Sequence, residues 1–496
     1  MADITGPFYP IIYVRGYAMT QSEIDDTVST PYMGFNLGAT KIRQSWQGTI
    51  EKHIFESPLV RLMKDYGYQD NYSHDEQGSK NLPPKSVIIY RYYDQADTDF
   101  GSGETPSIVK AAYGLHELIL KTKQDVCGDD LVAQAKFKVY LVAHSMGGLI
   151  CRALLQNPNV GSTESKSLVD KVFTYGTPHN GIDMAGFNVP SFLGLWDINN
   201  FNRQNMAEYL GLPSSSKNVS SLNGSFDPKR FFCLVGTNYK DYSAGAGMSR
   251  RLAGEMSDGL VKISNAVVDG SPRAYVHRSH SGHYGLVNSE EGYQNLIRFL
   301  FGNYQVEGYI DVEALPLPPS VRRAHKEGKD IKASYYFEVS VSPRGAVQYT
   351  LTERRKETFS AVIRKFDELF RVENIPGLNA PRSPYIFSLL LDSKSITSGR
   401  SLKFSADLAV STTNYEIDRF LILDRSIPGE YLFRDNLVVT ITPSADGPKV
   451  RYRFSDDSWG ESTGLDVPKD DKGLYIPMTS KKGFKAKLRL DVKRWS

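Results

Sequence analysis

Ser145 lies in the pentapeptide Ala143-His144-Ser145-Met146-Gly147, which joins two apolar segments. The segment before it, Lys138–Val142, is apolar after its first residue and predicts a buried strand. The segment after it, Gly148–Leu155, has apolar residues at helical spacing and predicts a helix. A serine in such a tight strand-to-helix turn, with small residues two positions away on both sides, is typical of a nucleophile elbow. We interpret Ser145 as the nucleophile of an acyl-transfer reaction; the alternative is an ordinary turn of small residues.

A serine hydroxyl needs a general base, and the base needs an acid that orients it. Asp258 follows the strand-like run 231–236, and His280 follows the strand-like run 273–278. Serine, aspartate and histidine therefore occur in the chain order of α/β-hydrolase triads. We predict that Asp258 orients His280, which in turn accepts the proton of Ser145.

The region of the predicted base contains further histidines, so its assignment needs an argument. His280 comes directly after the predicted strand, where hydrolases place the catalytic imidazole, and His283 is the second choice for the base. His277 lies inside the predicted strand and is interpreted as structural. The His-x-x-His spacing could also suggest zinc, but no cysteine or acidic residue at ligand spacing accompanies it. We expect neither a metal nor a cofactor.

Taken together, these segments resemble the α/β-hydrolase lipases and esterases. The motifs that carry the resemblance are AHSMGG at 143–148, GTPHNG at 176–181, SDGLV at 257–261 and the histidine-containing loop after residue 278. The resemblance covers roughly the first 300 residues. It implies Ser145 as nucleophile, Asp258 as orienting acid and a histidine near position 280 as base. It also implies cleavage of a carboxylic ester through an acyl-enzyme.

An oxyanion hole must supply two backbone N–H groups to the negative oxygen that develops during the reaction. Met146, the residue after the nucleophile, is expected to supply one of them. The loop after the first predicted strand supplies the other, and Tyr17 is our candidate. Members of the family usually carry His-Gly at this place, whereas this chain has Arg15-Gly16. A backbone N–H donor does not depend on whether histidine or arginine stands at this position. We interpret Arg15 as structural, with contact to an anionic substrate group as the alternative.

Strands and helices alternate through the first part of the chain. We predict strands near 10–14, 86–92, 137–143, 170–176, 230–236 and 272–278, and helices near 47–66, 106–124, 147–156 and 289–301. Such alternation predicts an α/β-hydrolase fold with a mostly parallel central sheet covered on both faces. Ligands bind beyond the carboxyl ends of the strands in sheets of this kind.

The rest of the chain predicts a cover, a linker and a second domain. We place the catalytic domain at 1–305, and within it 182–226 carries aromatic and apolar side chains that predict a cover over the nucleophile. The alternative is that these side chains only pack the segment onto the domain.

Residues 306–330 are rich in proline and charge and predict a linker. Residues 331–496 alternate in polarity and predict an all-β sandwich. Contact of this sandwich with a lipid interface or a protein is a hypothesis from architecture alone.

Composition excludes several classes of protein. The net charge of +3 and the lack of a basic-aromatic motif exclude a dedicated nucleic-acid surface. Three cysteines are too few for a disulfide framework. No apolar run reaches membrane-span length, and the first residues lack the features of a signal peptide. We therefore expect a cytoplasmic location, with signal-independent export as the alternative.

The expected substrate is a small-molecule acyl ester or lipid with an apolar acyl group. An acyltransferase, a thioesterase or an amidase would use the same side chains, because this constellation serves acyl transfers in general. A non-catalytic binding protein on a hydrolase scaffold is the remaining hypothesis. The presence of serine, aspartate and histidine in the expected order argues against it.

Overall fold

Two units make up the chain, Met1–Phe301 and Gly302–Ser496. The computed structural model describes residues 6–16, 35, 39–44, 50–70, 82–92, 94, 106–184, 187–188, 201–241, 254–282, 284–344, 349–370, 383–396, 401–415, 427–455 and 464–495. Within these ranges, no helix combines the length and the apolar character needed to cross a membrane.

The first unit alternates strands and helices. In chain order its elements are β1 (Ile11–Val14), β2 (Ala39–Gln44), β3 (Ile50–Phe55), α1 (Pro58–Tyr66), β4 (Gln69–Asp70), β5 (Ser86–Tyr90), α2 (Ile108–Cys127), α3 (Leu131–Lys136), β6 (Val139–His144), α4 (Gly147–Gln156), α5 (Thr163–Leu168), β7 (Val169–Tyr175), β8 (Asp183–Met184), β9 (Phe187–Asn188), α6 (Arg203–Tyr209), β10 (Phe231–Gly236), β11 (Arg273–Val276) and α7 (Glu290–Phe301). Seven of the strands form one sheet in the order β11-β10-β7-β6-β1-β5-β4. Every pairing in it is parallel, which confirms the predicted α/β-hydrolase sheet.

The central strands of this sheet are apolar along their whole length. All residues of β1 and of β10 are buried, as are the first five of β6. Continuous apolar runs are expected where helices cover both faces of a parallel sheet. The helix α4 is buried throughout, so it anchors the residues before it firmly.

The topology brings the three predicted triad residues to one edge of the sheet. Ser145 follows β6, Asp258 lies in the segment after β10, and His280 follows β11. Because the carboxyl ends of parallel strands share one edge, these three segments meet there. The sheet therefore supplies the platform for the candidate site.

The predicted helix over 47–66 is wrong in its first half. Residues Ile50–Phe55 form β3, which pairs with β2 in an antiparallel hairpin, and the helix begins only at Pro58. Ser57 caps it, because the Ser57 hydroxyl accepts a hydrogen bond from the Val60 N–H at 3.2 Å. Proline disfavours helical backbone in the residue before it and suits the first helical position, so the helix starts where Ser57 meets Pro58.

The second unit is built almost entirely from strands. In chain order its elements are β12 (Tyr304–Ala314), α8 (Pro319–Lys326), β13 (Ser334–Arg344), β14 (Thr352–Arg354), β15 (Val362–Lys365), α9 (Phe366–Phe370), β16 (Tyr385–Leu391), β17 (Leu402–Thr412), β18 (Tyr431–Thr442), β19 (Lys449–Phe454), β20 (Leu465–Asp466), β21 (Lys469–Asp470), β22 (Gly473–Thr479) and β23 (Lys485–Arg494). One sheet has the order β16-β12-β23-β22-β21, and the other has the order β14-β13-β17-β18-β19-β20 with β15 paired to β13. Both sheets are antiparallel.

The two sheets of the second unit share one apolar core, as the predicted β-sandwich requires. The ring of Phe387 on β16 lies 6.1 Å from the ring of Phe404 on β17, centroid to centroid. Phe337, Val339 and Val341 of β13 are all fully buried in the same cluster. Alternate residues of the strands thus fill the space between the sheets.

The predicted linker over 306–330 is wrong, because this range holds β12 and α8. β12 pairs with both β16 and β23, so it lies inside a sheet. The prolines at 316, 318 and 319, with the charged residues after them, are typical of a linker. Those prolines only separate β12 from α8, whose first residue is Pro319. The boundary between the two units falls at residues 301 and 302 instead.

Candidate active site

Ser145 occupies a strained turn between β6 and α4. Its φ of +53° lies in the left-handed region, which non-glycine residues rarely adopt. The Ser145 N–H donates to the Tyr175 carbonyl at 2.9 Å, and the Thr177 hydroxyl donates to the Ser145 carbonyl at 2.8 Å. Hydrogen bonds on both sides of the residue therefore hold the turn. This is the geometry of a nucleophile elbow.

Glycines around the elbow are required by close contacts. A Cβ on Gly147 would lie 2.2 Å from the carbonyl oxygen of Val14, at the end of β1. A Cβ on Gly16 would lie 2.5 Å from the Cβ of Ser145. Both distances are far shorter than any real contact, so the loop after β1 touches the elbow and leaves no space for larger residues.

His280 contacts both Ser145 and Asp258. Its Nε2 lies 2.9 Å from Ser145 Oγ, and its Nδ1 lies 2.8 Å from Asp258 Oδ2. All three side chains are buried. With Nδ1 protonated and donating to Asp258, Nε2 is free of hydrogen and accepts the hydroxyl hydrogen of Ser145. The structure thus brings together the three residues singled out in the sequence.

The carboxylate of Asp258 uses its two oxygens for different purposes. Oδ2 faces His280, whereas Oδ1 accepts the backbone N–H groups of Leu260 at 3.0 Å and Val261 at 2.8 Å. The backbone carbonyl of Asp258 also accepts the His280 N–H at 2.9 Å. These bonds fix the carboxylate and tie its loop to the loop of the histidine.

His144, the residue before the nucleophile, also belongs to this cluster. Its Nε2 lies 2.9 Å from the backbone carbonyl oxygen of His280. Burial lowers the pKa of His144 to about 3, and the charges of the nearby His280 and Arg15 add to the effect. The hydrogen bond to the His280 carbonyl acts in the opposite direction, and the ring is neutral at pH 7. Sequence reasoning missed this residue, because it stands at an elbow position that tolerates many side chains.

Arg152 of α4 is a second residue that sequence reasoning missed. The guanidinium is fully buried and donates to the carbonyl of His179 at 2.7 Å. It also donates to the carbonyls of Val219 at 2.6 Å and Ser221 at 2.9 Å. A buried charge of this kind connects the helix after the nucleophile to the GTPHNG segment. An arginine within an apolar helix was the only available signal.

Two of the predicted site residues, Tyr17 and His283, lie outside the described residues. Met146 is described; it is the residue directly before α4, and 2% of its surface is exposed. Backbone N–H groups at the start of a helix have no acceptor within the helix. The position of Met146 therefore suits an oxyanion donor.

The described part of the predicted cover over 182–226 packs onto the domain. Phe201, Met206, Tyr209 and Leu210 are buried. The Asn157 side chain donates to the Tyr209 carbonyl at 3.1 Å, which ties α6 to the end of α4. The described residues thus contact the domain, and a cover over the nucleophile stays a prediction. Residues 189–200, which carry other apolar side chains of the predicted cover, lie outside the described residues.

One comparison with known proteins matches the part of the chain that carries the elbow. A family model described as a PGAP1-like α/β domain matches residues 119–219. Lipase 1 of Staphylococcus aureus strain MRSA252 is 27% identical over 199 residues, which are 36% of this chain and 25% of the relative. A lipase of Staphylococcus epidermidis is 27% identical over 191 residues, 35% of this chain and 24% of the relative.

Among solved structures, phospholipase PlaB of Legionella pneumophila aligns with 81% of this chain and 86% of its own, at 13% identity and a TM-score of 0.34. This chain spans about a quarter of the length of the curated lipases that it matches. Residues 119–219, which the family model matches, include β6, α4 and β7, and these elements build the elbow in the parallel sheet. The first unit of this chain thus has an α/β-hydrolase fold and is similar in sequence to lipases.

Proposed function

We propose that this protein is a serine hydrolase that cleaves carboxylic esters. The observation that carries the proposal is the continuous chain of contacts from Ser145 Oγ through the His280 ring to Asp258, with distances of 2.9 and 2.8 Å. A serine becomes a useful nucleophile when a base accepts its proton and an acid orients that base. The similarity to lipases supports the choice of an ester as the bond cleaved.

In the first half of the proposed reaction, Ser145 Oγ attacks the ester carbonyl carbon, and its proton passes to His280 Nε2. The resulting imidazolium is stabilised by Asp258, whose carboxylate accepts a hydrogen bond from the His280 Nδ1–H. Collapse of the tetrahedral adduct breaks the ester C–O bond. His280 then returns the proton from Nε2 to the departing alkoxide, so that an alcohol leaves and the acyl group stays on Ser145.

In the second half, a water molecule takes the place of the alcohol. His280 accepts one proton from the water while the water oxygen attacks the acyl carbon. Ser145 Oγ leaves and regains its hydrogen from His280. The free enzyme and a carboxylic acid are the products.

The negative oxygen of both tetrahedral adducts needs backbone donors. We assign the N–H of Met146 to this role, together with the N–H of Tyr17. The position of Met146 at the start of α4 supports the first assignment, because the helix dipole also favours negative charge there. The contact of Gly16 with Ser145 supports the second, since it brings the loop before Tyr17 to the nucleophile.

The proposed substrate is a small-molecule ester or lipid with an apolar acyl group. The names of the matching lipases support this choice. Contact of the second unit with a lipid interface or a protein remains a hypothesis.

The test is the initial rate of hydrolysis of p-nitrophenyl esters, from acetate to palmitate. We expect rates that rise with chain length, a loss of at least about 10³-fold in Ser145→Ala, and a loss of about 10² to 10⁴-fold in Asp258→Asn. Ser214→Ala, a change at an exposed serine, is the matched control and leaves the rates unchanged.

A preference for short chains that is still abolished in Ser145→Ala would keep the ester hydrolase and refute the apolar acyl substrate. Hydrolysis that persists in Ser145→Ala, or the lack of hydrolysis at every chain length, would refute the proposed function.

A further inference from the structure

His144 holds the backbone of His280 by a hydrogen bond that uses its side chain. The His144 Nε2 lies 2.9 Å from the His280 carbonyl oxygen. A carbonyl oxygen only accepts, so His144 must carry its hydrogen on Nε2. The two rings are 5.1 Å apart and tilted by 43°, which places them side by side without stacking.

Two consecutive residues, His144 and Ser145, therefore contact His280, one at its backbone and the other at its ring. Ser145 Oγ meets the Nε2 of the His280 ring, and His144 Nε2 meets the His280 carbonyl. The carboxylate of Asp258 holds the remaining ring nitrogen at 2.8 Å. One short peptide segment thus fixes both the nucleophile and the backbone of the proposed base.

The strand that carries His144 is itself held rigidly. His144 is the last residue of β6 and lies opposite Tyr175 of β7 in the sheet. Tyr175 also accepts the N–H of Ser145 at 2.9 Å. A donor on the end of a central strand has a well-defined position, which a donor on a free loop lacks.

The neutral state of His144 suits this arrangement. Burial lowers the pKa of His144 to about 3, with the charges of the nearby His280 and Arg15 as further causes, although the hydrogen bond to the His280 carbonyl raises it. A neutral ring donates one hydrogen bond without placing a positive charge beside His280. A charged ring would oppose protonation of His280, which the proposed reaction requires.

We propose that His144 is a positioning residue whose Nε2–H fixes the loop of His280, so that the His280 imidazole stays within hydrogen-bond reach of Ser145. This inference rests on the proposed function, because it concerns His280 as the base. The competing explanation is that the His144 ring only fills space. Under that explanation any side chain of similar size would serve equally well, and the donor would be irrelevant.

The substitutions His144→Gln and His144→Met separate these explanations. Glutamine and methionine have nearly the same shape, but only glutamine has an N–H donor near the position of the histidine Nε2. A fluorophosphonate probe reports on the site without a known substrate, because Ser145 Oγ bonds to phosphorus, fluoride leaves, and the serine proton passes to His280. The full-length protein is used throughout.

We expect His144→Met to lower the maximal labelling rate at least about tenfold with an unchanged half-saturating probe concentration, since a small displacement of a reacting group costs this much or more. We expect His144→Gln to stay within about threefold of the wild type. Equal losses in the two variants, or no loss in either, would overturn the inference.

Failure of the proposed function gives a different result. A wild-type protein that the probe does not label, or labelling that survives Ser145→Ala, refutes the nucleophile itself. The inference about His144 is judged only on protein whose labelling requires Ser145.

If His144→Met does not fold, a measurement on the wild type replaces it. The ¹⁵N chemical shifts of the His144 ring report which nitrogen carries the hydrogen. We expect the hydrogen on Nε2 throughout the neutral pH range. A hydrogen on Nδ1 would leave Nε2 without a donor and would overturn the inference.

Discussion

Single residues from separate segments build the site, and a glycine is among the most constrained of them. Gly16 lies after β1, and its backbone faces the nucleophile. A Cβ at this position would come within 2.5 Å of Ser145 Cβ and 2.8 Å of the His144 carbonyl oxygen. The shape of the elbow therefore depends on a residue that has no side chain.

We expect Gly16→Ala to lower kcat for ester hydrolysis by about 10 to 100-fold, because the methyl group must displace the Ser145 turn. The free energy of unfolding should fall by about 1 to 3 kcal/mol. Ester hydrolysis and chemical denaturation measure the two effects.

Gly224→Ala is the control for the loss of stability. Gly224 has a φ of +73°, and a Cβ there would contact nothing within 4 Å. This change should cost about 1 kcal/mol of stability and leave kcat unchanged. A normal kcat in Gly16→Ala would contradict the predicted displacement.

The sequence predicted those site residues that leave a local signal. Ser145 stands in a turn of small residues, and Asp258 and His280 each follow a strand-like run in the right order. The contacts of His144 and Arg152 leave no such signal. His144 contacts a backbone carbonyl 136 residues away, and Arg152 contacts several carbonyls, one of them 67 residues away, and a carbonyl has no side chain to recognise.

At the scale of the elements, a buried lysine of β7 contacts α7, and the proposed reaction does not use it. Lys171 of β7 is 1% exposed, and its ammonium group donates to the carbonyl of Leu300 at 3.0 Å. This carbonyl belongs to the last turn of α7, where the helix dipole favours positive charge. Burial nevertheless lowers the pKa of Lys171 to about 7, although the neighbouring Asp170 raises it.

The lowered pKa makes the stability of the protein depend on pH. The pKa of Lys171 falls from 10.5 to about 7 on folding, so between these values the unfolded chain binds more protons at this residue. The contribution of Lys171 to the free energy of unfolding therefore rises with pH in this window, by up to about 1.4 kcal/mol per pH unit. Below about pH 7 the contribution of Lys171 to the free energy of unfolding is at its lowest.

Lys171→Met removes the titrating group, so we expect the stability of the wild type relative to this variant to rise from about pH 7 to about pH 10. Urea denaturation of both proteins across this range measures the difference, and other titrating groups cancel in the comparison. A difference that stays constant over this range would contradict the lowered pKa.

The sequence predicts helices well where the apolar stripe extends over several turns. The helices α2, α4 and α7 match their predicted ranges closely, because each has enough turns to show an apolar stripe. The helices α3, α5 and α6 have only six or seven residues and were missed. The predicted helix over 47–66 includes β3, because the apolar residues of this strand have a spacing that is also found in a helical turn.

At the scale of the whole molecule, each unit has its own core. The second unit buries apolar side chains from both of its sheets in one cluster. Its first strand, β12, pairs with β16 on one side and β23 on the other. The second unit should therefore fold alone only if β12 is included.

We expect a fragment of residues 302–496 to fold alone, with cooperative thermal unfolding and dispersed amide signals in NMR spectra. A fragment of residues 315–496 lacks β12, so its five-stranded sheet loses an interior strand and it should not fold. If both fragments fold, or if neither folds, the assignment of β12 to the second unit is contradicted.

A fragment of residues 1–301 should retain hydrolysis that depends on Ser145.

The position of β1 in the sheet has a consequence for the order of folding. β1 begins at residue 11, yet it lies between β5 and β6, and its Ile11 pairs with Val87 and Tyr140. During synthesis this apolar strand has no partner in the sheet until β5 and β6 have been made. The sheet is complete only when β11 at 273–276 has emerged. Long-range parallel pairing is slow and leaves apolar strand edges exposed in the meantime. The first unit should consequently refold slowly from denaturant and rely on chaperones to avoid aggregation in the cell.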